Sequence, residues 1–110
     1  MPLTIAEIMS RMPAAFVAER AAGVEAVIHF RFTGAEAGEW HAVIKDGACK
    51  VAEGRPQGPA TMTLTADSSD YIGLITGELD PMKAFMTGRL KLQGDLNLAM
   101  KMTQLFRVDG

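Results

Sequence analysis

Cysteine occurs once in this chain, at Cys49, which excludes an internal disulfide and fits a reducing compartment. No run of basic residues exists, and the net charge is -2. A nucleic-acid partner would need a stripe of lysine and arginine, so that class is excluded. Polybasic attraction to an anionic membrane is not expected from the linear order either. No window approaches the ~18 consecutive apolar residues of a membrane span, so stable membrane insertion is not expected. The opening "MPLTIAEIMSRM" lacks a basic start followed by a long apolar run, and "RVDG" is no peroxisomal address. The expected location is cytoplasmic. Aromatic residues make up only 6% of the chain, whereas methionine occurs 8 times. Methionine is unbranched and polarizable, so it fills irregular gaps and also suits adaptable binding surfaces.

The 110 residues fit one domain, expected to span 1–110, and a chain of this length buries enough surface to fold without metal or disulfide. In "TIAE", Thr4 and Glu7 form a capping box, and Ile5, Ile8, Met9 and Met12 follow at helical spacing. Pro13 is expected to interrupt this helix, with a second short helical stretch closed by Gly23. From Val24 the period becomes two: Val24, Ala26, Ile28, Phe30 and Phe32 share one face, and Glu25, His29, Arg31 and Thr33 the other. "EWHAVIKD" continues the alternation, and "DG" at 46–47 predicts a type I′ hairpin turn. Placing Lys45 opposite Ala48 sets Ile44 opposite Cys49 and Ala42 opposite Val51, so the apolar faces agree.

In "ATMTLTA", Met62 and Leu64 alternate with threonines, the mark of a sheet with one wet face. Asp67 is expected to cap a helix presenting Ile72, Ile75 and Leu79. Asp80-Pro81 starts another short helix, with Met82, Phe85 and Met86 facing the sheet. A fifth strand brings Leu90 and Leu92 inward, and Asp95 caps a terminal helix.

Candidate chemistry is sparse. With Thr33 opposite Glu39 and Arg31 opposite His41, His29 lies diagonal to His41 at roughly 7–8 Å. A zinc site needs three or four ligands, and Arg31 and Lys45 share this surface, so both histidines are assigned to a solvated face. Cys49 points inward, away from any base, which makes it an inert thiol. Asp67 and Asp70 are explained by helix capping. The glycines fall singly at turns and form no phosphate-binding fingerprint. No catalytic residue, metal site or cofactor is assigned, and an enzyme is not expected.

The run "VIKDG", the block "GELDPMKAFMTGRLKLQGDLNLAMKMTQLF" and the earlier "RMPAAF" with "AAGV" together resemble the sterol carrier protein type 2 (SCP-2) family, in its free-standing bacterial form. The resemblance covers nearly the whole chain. It implies an α+β fold: a five-stranded, mostly antiparallel sheet with helices on one face and an apolar tunnel between the layers. It further implies a non-enzymatic role holding a fatty acyl chain, acyl-CoA, phospholipid or isoprenoid-type molecule. Inward phase combined with the family layout nominates as tunnel-lining residues Phe30, Phe32, Trp40, Ile44, Met62, Leu64, Ile72, Ile75, Leu79, Phe85, Met86, Leu92, Leu98, Met102 and Leu105. The alternative is an interaction module of the same fold with a filled interior, acting in a homodimer, on a partner enzyme or as an accessory in isoprenoid quinone synthesis.

Overall fold

The computed structural model describes residues 4–20, 23–98 and 101. Helix α1 covers Ile5–Ala15. Strands β1 (Ala26–Thr33), β2 (Gly38–Lys45), β3 (Ala48–Glu53) and β4 (Met62–Asp67) follow, then helices α2 (Ser68–Thr76) and α3 (Pro81–Met86), and strand β5 (Leu90–Gly94). Residues 96–98 and 101 are again helical. The five strands form one sheet in the order β3-β2-β1-β4-β5, in which only β1 and β4 run parallel. The mostly antiparallel α+β fold expected from the sequence is the one observed.

The apolar residues line up in rows across this sheet. Leu92, Leu64, Phe30 and Trp40 form one row; Met62, Ile28, Ala42 and Val51 form the next. The helices lie over this face: α1 packs against β3, and α3 against β5. Met9, Ile28, Phe30, Ile44 and Met62 are the most enclosed side chains, so the core sits between α1 and the central strands. From α2, Tyr71 closes over β1, its ring 5.0 Å from that of Phe32 and 6.1 Å from that of Phe30. Tilted and edge-on contacts of this kind add roughly 0.5–1.5 kcal/mol beyond area burial.

Several local signals act as expected. Thr4 accepts from the Glu7 N–H, Asp67 from Ser69, Asp80 from Lys83 and Asp95 from Asn97. Asp46 and Gly47 both have positive φ, as a type I′ turn requires, and Lys45 pairs with Ala48.

Three expectations need correction. Pro13 does not break α1, which runs on to Ala15. A proline this near the C-terminus disturbs only the last turn, and the Phe16 N–H closes that turn by donating to the Pro13 carbonyl. The β1–β2 register is shifted by two residues: Arg31 faces Glu39 and His29 faces His41 directly. The connection is a tight 3-10 turn over Gly34–Glu36, which lets Gly38 join the strand opposite Phe32. That turn is anchored at both ends of the helical layer. The Ile5 N–H donates to the Glu36 carboxylate at 2.9 Å, and the Glu36 N–H donates to Oγ of buried Ser68 at 3.1 Å. The third correction concerns α3, where only Ala84 is buried, whereas Met82, Phe85 and Met86 are exposed.

Gly94 ends β5 with φ +99, and a Cβ there would collide with the backbone of Thr61 and Met62. The variant Gly94→Ala is therefore expected to lose more than about 1 kcal/mol in chemical denaturation. Gly58→Ala, with open space around the site, should stay within about 0.5 kcal/mol of the parent.

Candidate functional site: an apolar interior with a polar outer face

The interior is built by alternation on one side and by helical stripes on the other. Of the nominated wall residues, Phe30, Phe32, Ile44, Met62, Leu64 and Leu98 are buried in one continuous cluster. Trp40, Ile72, Ile75, Leu79 and Leu92 pack against it half-buried. Phe85 and Met86 do not join them: they are 45% and 77% exposed. Ala84 seats α3 against the rest of the fold, and about 100° per residue turns Met86 to the opposite side of the helix. Met102 and Leu105 lie outside the described residues.

Sequence reasoning missed Tyr71, which is buried against both phenylalanines. Its spacing of four from Ile75 in the helix "SSDYIGLIT" is the available signal. Burial pushes its hydroxyl above the usual phenol range, so it is neutral. The contribution of α1 is also larger than the nominated set implied, since Ile5, Ile8, Met9 and Met12 all enter the core.

The described wall residues pack on one another as one apolar cluster. Two surface depressions open where β1 begins. One, of about 210 Å³, is lined by Glu25, Val27, Val43, Lys45 and Thr61. The other, of about 160 Å³, lies among Gly23, Val24, Thr61, Asp95, Asn97, Leu98 and Lys101. Both fall short of the roughly 300–1,000 Å³ of small-molecule pockets. Between the layers the bulky side chains of Phe30, Met9 and Met62 are fully buried, and Met102 and Leu105 of the nominated wall lie outside the described residues.

The outer face is polar and organised around Glu39. Arg55 Nε donates to its carboxylate at 2.7 Å, and Arg31 Nε and His29 Nε2 lie at 3.5 Å. The Arg55 hydrogen bond, with further help from the charges of Arg55, His29 and Arg31, holds the Glu39 carboxyl below the usual carboxylate range. His41 Nδ1 lies 2.9 Å from the Gly54 carbonyl, so the segment after β3 covers part of this face. His29 Nε2 is buried without a hydrogen bond. Among the described residues no three histidine, cysteine, aspartate or glutamate side chains are grouped to hold a metal. Cys49 is buried, paired with Ile44 across the hairpin, and burial raises its thiol to about 11, which leaves it protonated at neutral pH.

Fold and site together define a small α+β domain organised around a hydrocarbon interior, with aspartates capping its helices and Glu39 paired on its outer face. Comparison with known proteins places it more narrowly. A model of the SCP-2 sterol transfer family matches residues 5–107, and the chain belongs to that family. Hydroxysteroid dehydrogenase-like protein 2 of Xenopus tropicalis is 36% identical over 81 residues, covering 74% of this chain and 19% of that protein. The chain thus spans about a fifth of the length of this curated relative. Among solved structures, the sterol carrier protein domain 2 of Helicoverpa armigera is 30% identical with a TM-score of 0.74, covering 94% of this chain and 86% of that one. Palmitated SCP2L2 from Aedes aegypti is 26% identical with a TM-score of 0.71, covering 93% of each chain. Among the described residues no helix is long and apolar enough to cross a membrane.

The Glu39 cluster makes a signed prediction. A carboxyl whose folded value is depressed stabilises the fold above its ordinary value of 4.5 and loses that contribution as pH falls through the folded value. Melting midpoints followed from about pH 6 down to about pH 3 should fall less steeply for Glu39→Gln than for the parent. Parallel curves would assign the acid sensitivity to other carboxylates.

Proposed function

We propose that this chain is a non-enzymatic lipid-binding or lipid-transfer module that takes a long apolar chain between its sheet and its helices. The observation that carries this reading is the continuous apolar cluster from α1 through β1 and β4 to Leu98, built in part from Met9, Met12 and Met62. Methionine side chains re-pack around irregular guests at low cost. Family membership supports it, as does the palmitate named with the Aedes aegypti relative.

Uptake between the layers proceeds by opening, and the short helices supply the means. Helix α2 ends at Gly77 in the left-handed conformation, and α3 is only 6 residues long with one buried side chain. Elements with so few buried contacts open at lower free energy than core strands. A fatty acyl chain, the acyl part of a coenzyme A ester, a phospholipid tail or an isoprenoid would enter in place of displaced methionine and leucine side chains.

The energetics favour modest, broad binding. Each buried methylene contributes about 0.8 kcal/mol, so a chain of about sixteen carbons offers on the order of 12 kcal/mol gross. Association and ordering offset roughly 4–15 kcal/mol. Chain length then governs affinity, and little beyond shape discriminates one hydrocarbon from another.

Trp40, the single tryptophan, is half-buried against the cluster and reports its state. Titrating palmitate should change its fluorescence, and organic extraction of protein purified from its host should release lipid. Leu98→Asp is expected to abolish uptake, whereas replacing His29 and His41 together by alanine should leave it intact. Lipid-free protein whose tryptophan signal ignores palmitate would overturn the reading.

A further inference from the structure

Helix α2 turns two hydroxyl side chains inward, and the fold uses one of them. Ser68 and Tyr71 lie three apart on the same face of the helix, and both are buried. Ser68 Oγ accepts from the Glu36 N–H at 3.1 Å and so helps to fix the turn between β1 and β2. The Tyr71 hydroxyl makes no hydrogen bond among the described residues. It is not sealed off either, because His29 Nε2 is the one described side-chain nitrogen or oxygen that is fully enclosed without a partner.

Tyr71 is also chemically alone where it sits. Among the described residues no other side chain of the buried apolar cluster carries an oxygen or a nitrogen. Its ring lies 5.0 Å from that of Phe32 and 6.1 Å from that of Phe30, and a phenylalanine would keep both contacts. The oxygen therefore adds nothing to the packing. Burial keeps the hydroxyl protonated, so around neutral pH it is a hydrogen-bond donor reachable from the edge of an otherwise apolar layer.

We infer that the Tyr71 hydroxyl receives the oxygen-bearing head of the bound lipid, with the hydrocarbon chain running from it into the layer beside Phe30 and Phe32. This rests on the lipid-binding reading above and adds to it a place for the polar end. The fitting ligand is a long chain with an acceptor oxygen at its end, such as a carboxylate, an alcohol or the carbonyl of an ester or thioester. Entry of such a chain replaces the water at the hydroxyl by an equivalent acceptor. A chain without one displaces the water and leaves the donor unpaired, which is the asymmetry by which a single polar group confers selectivity. Tyr71 is thereby a specificity-determining residue in a wall that otherwise discriminates by shape.

Trp40 fluorescence titrations with dodecanoate, dodecan-1-ol and 1-chlorododecane test this, since the three share a chain and chlorine is a poor acceptor. Tyr71→Phe should bind dodecanoate and dodecan-1-ol roughly tenfold more weakly than the parent and 1-chlorododecane equally well. Its melting midpoint should be no lower than the parent's, because no hydrogen bond within the fold is lost. A loss of equal size for all three ligands, or a lowered midpoint, would assign the hydroxyl to the fold and overturn the inference. Unchanged affinity for all three would overturn it as well. A parent protein that binds none of the three would instead sink the lipid-binding reading, and the role of Tyr71 would fall with it.

Discussion

Strand β1 has to bury one entire face, and the rest of the molecule is arranged to let it. Ile28 and Phe30 are fully enclosed, and Ala26 and Phe32 nearly so, although β1 is held by β2 on one side and β4 on the other. Apolar area removed from water is the dominant favourable contribution to a fold of this size, at about 25 cal/mol per Å². A one-sided sheet can realise it only under a roof. Helices α1 and α2 supply that roof, and the turn at Gly34–Glu36 ties both of their N-terminal ends to the sheet through Glu36 and Ser68.

The roof is uneven. Helix α1 spends four large residues on the core, whereas α3 spends one alanine. Tight closure of α1 over β3 gives way to shallow attachment of α3 over β5, the part of the roof that opens at the lower free energy. The same shallow attachment leaves the outer side of α3 apolar.

Much of the fold was legible because its signals are local. Alternation marked which face of each strand is buried, "DG" marked the hairpin, and Thr4, Asp67, Asp80 and Asp95 marked helix starts. What escaped was non-local. A shift of two residues between β1 and β2 leaves every side chain on its original face, so the period-two pattern could not distinguish the true register from its neighbour. The carboxylate of Glu36 serving the N-terminus of a helix 31 residues away has no local signature. The wall residues divide in the same way: the strand positions proved buried or half-buried, whereas the inward stripe through Phe85 and Met86 depended on where α3 came to rest.

The order of residues therefore determined the family, the element types and the inward face of each strand, since backbone stereochemistry and side-chain periodicity act over a few residues. Tertiary structure alone decided the register and the rotation of α3 about Ala84. Those depend on which of several apolar surfaces pack best against one another, a competition among segments distant in the chain that no short stretch encodes.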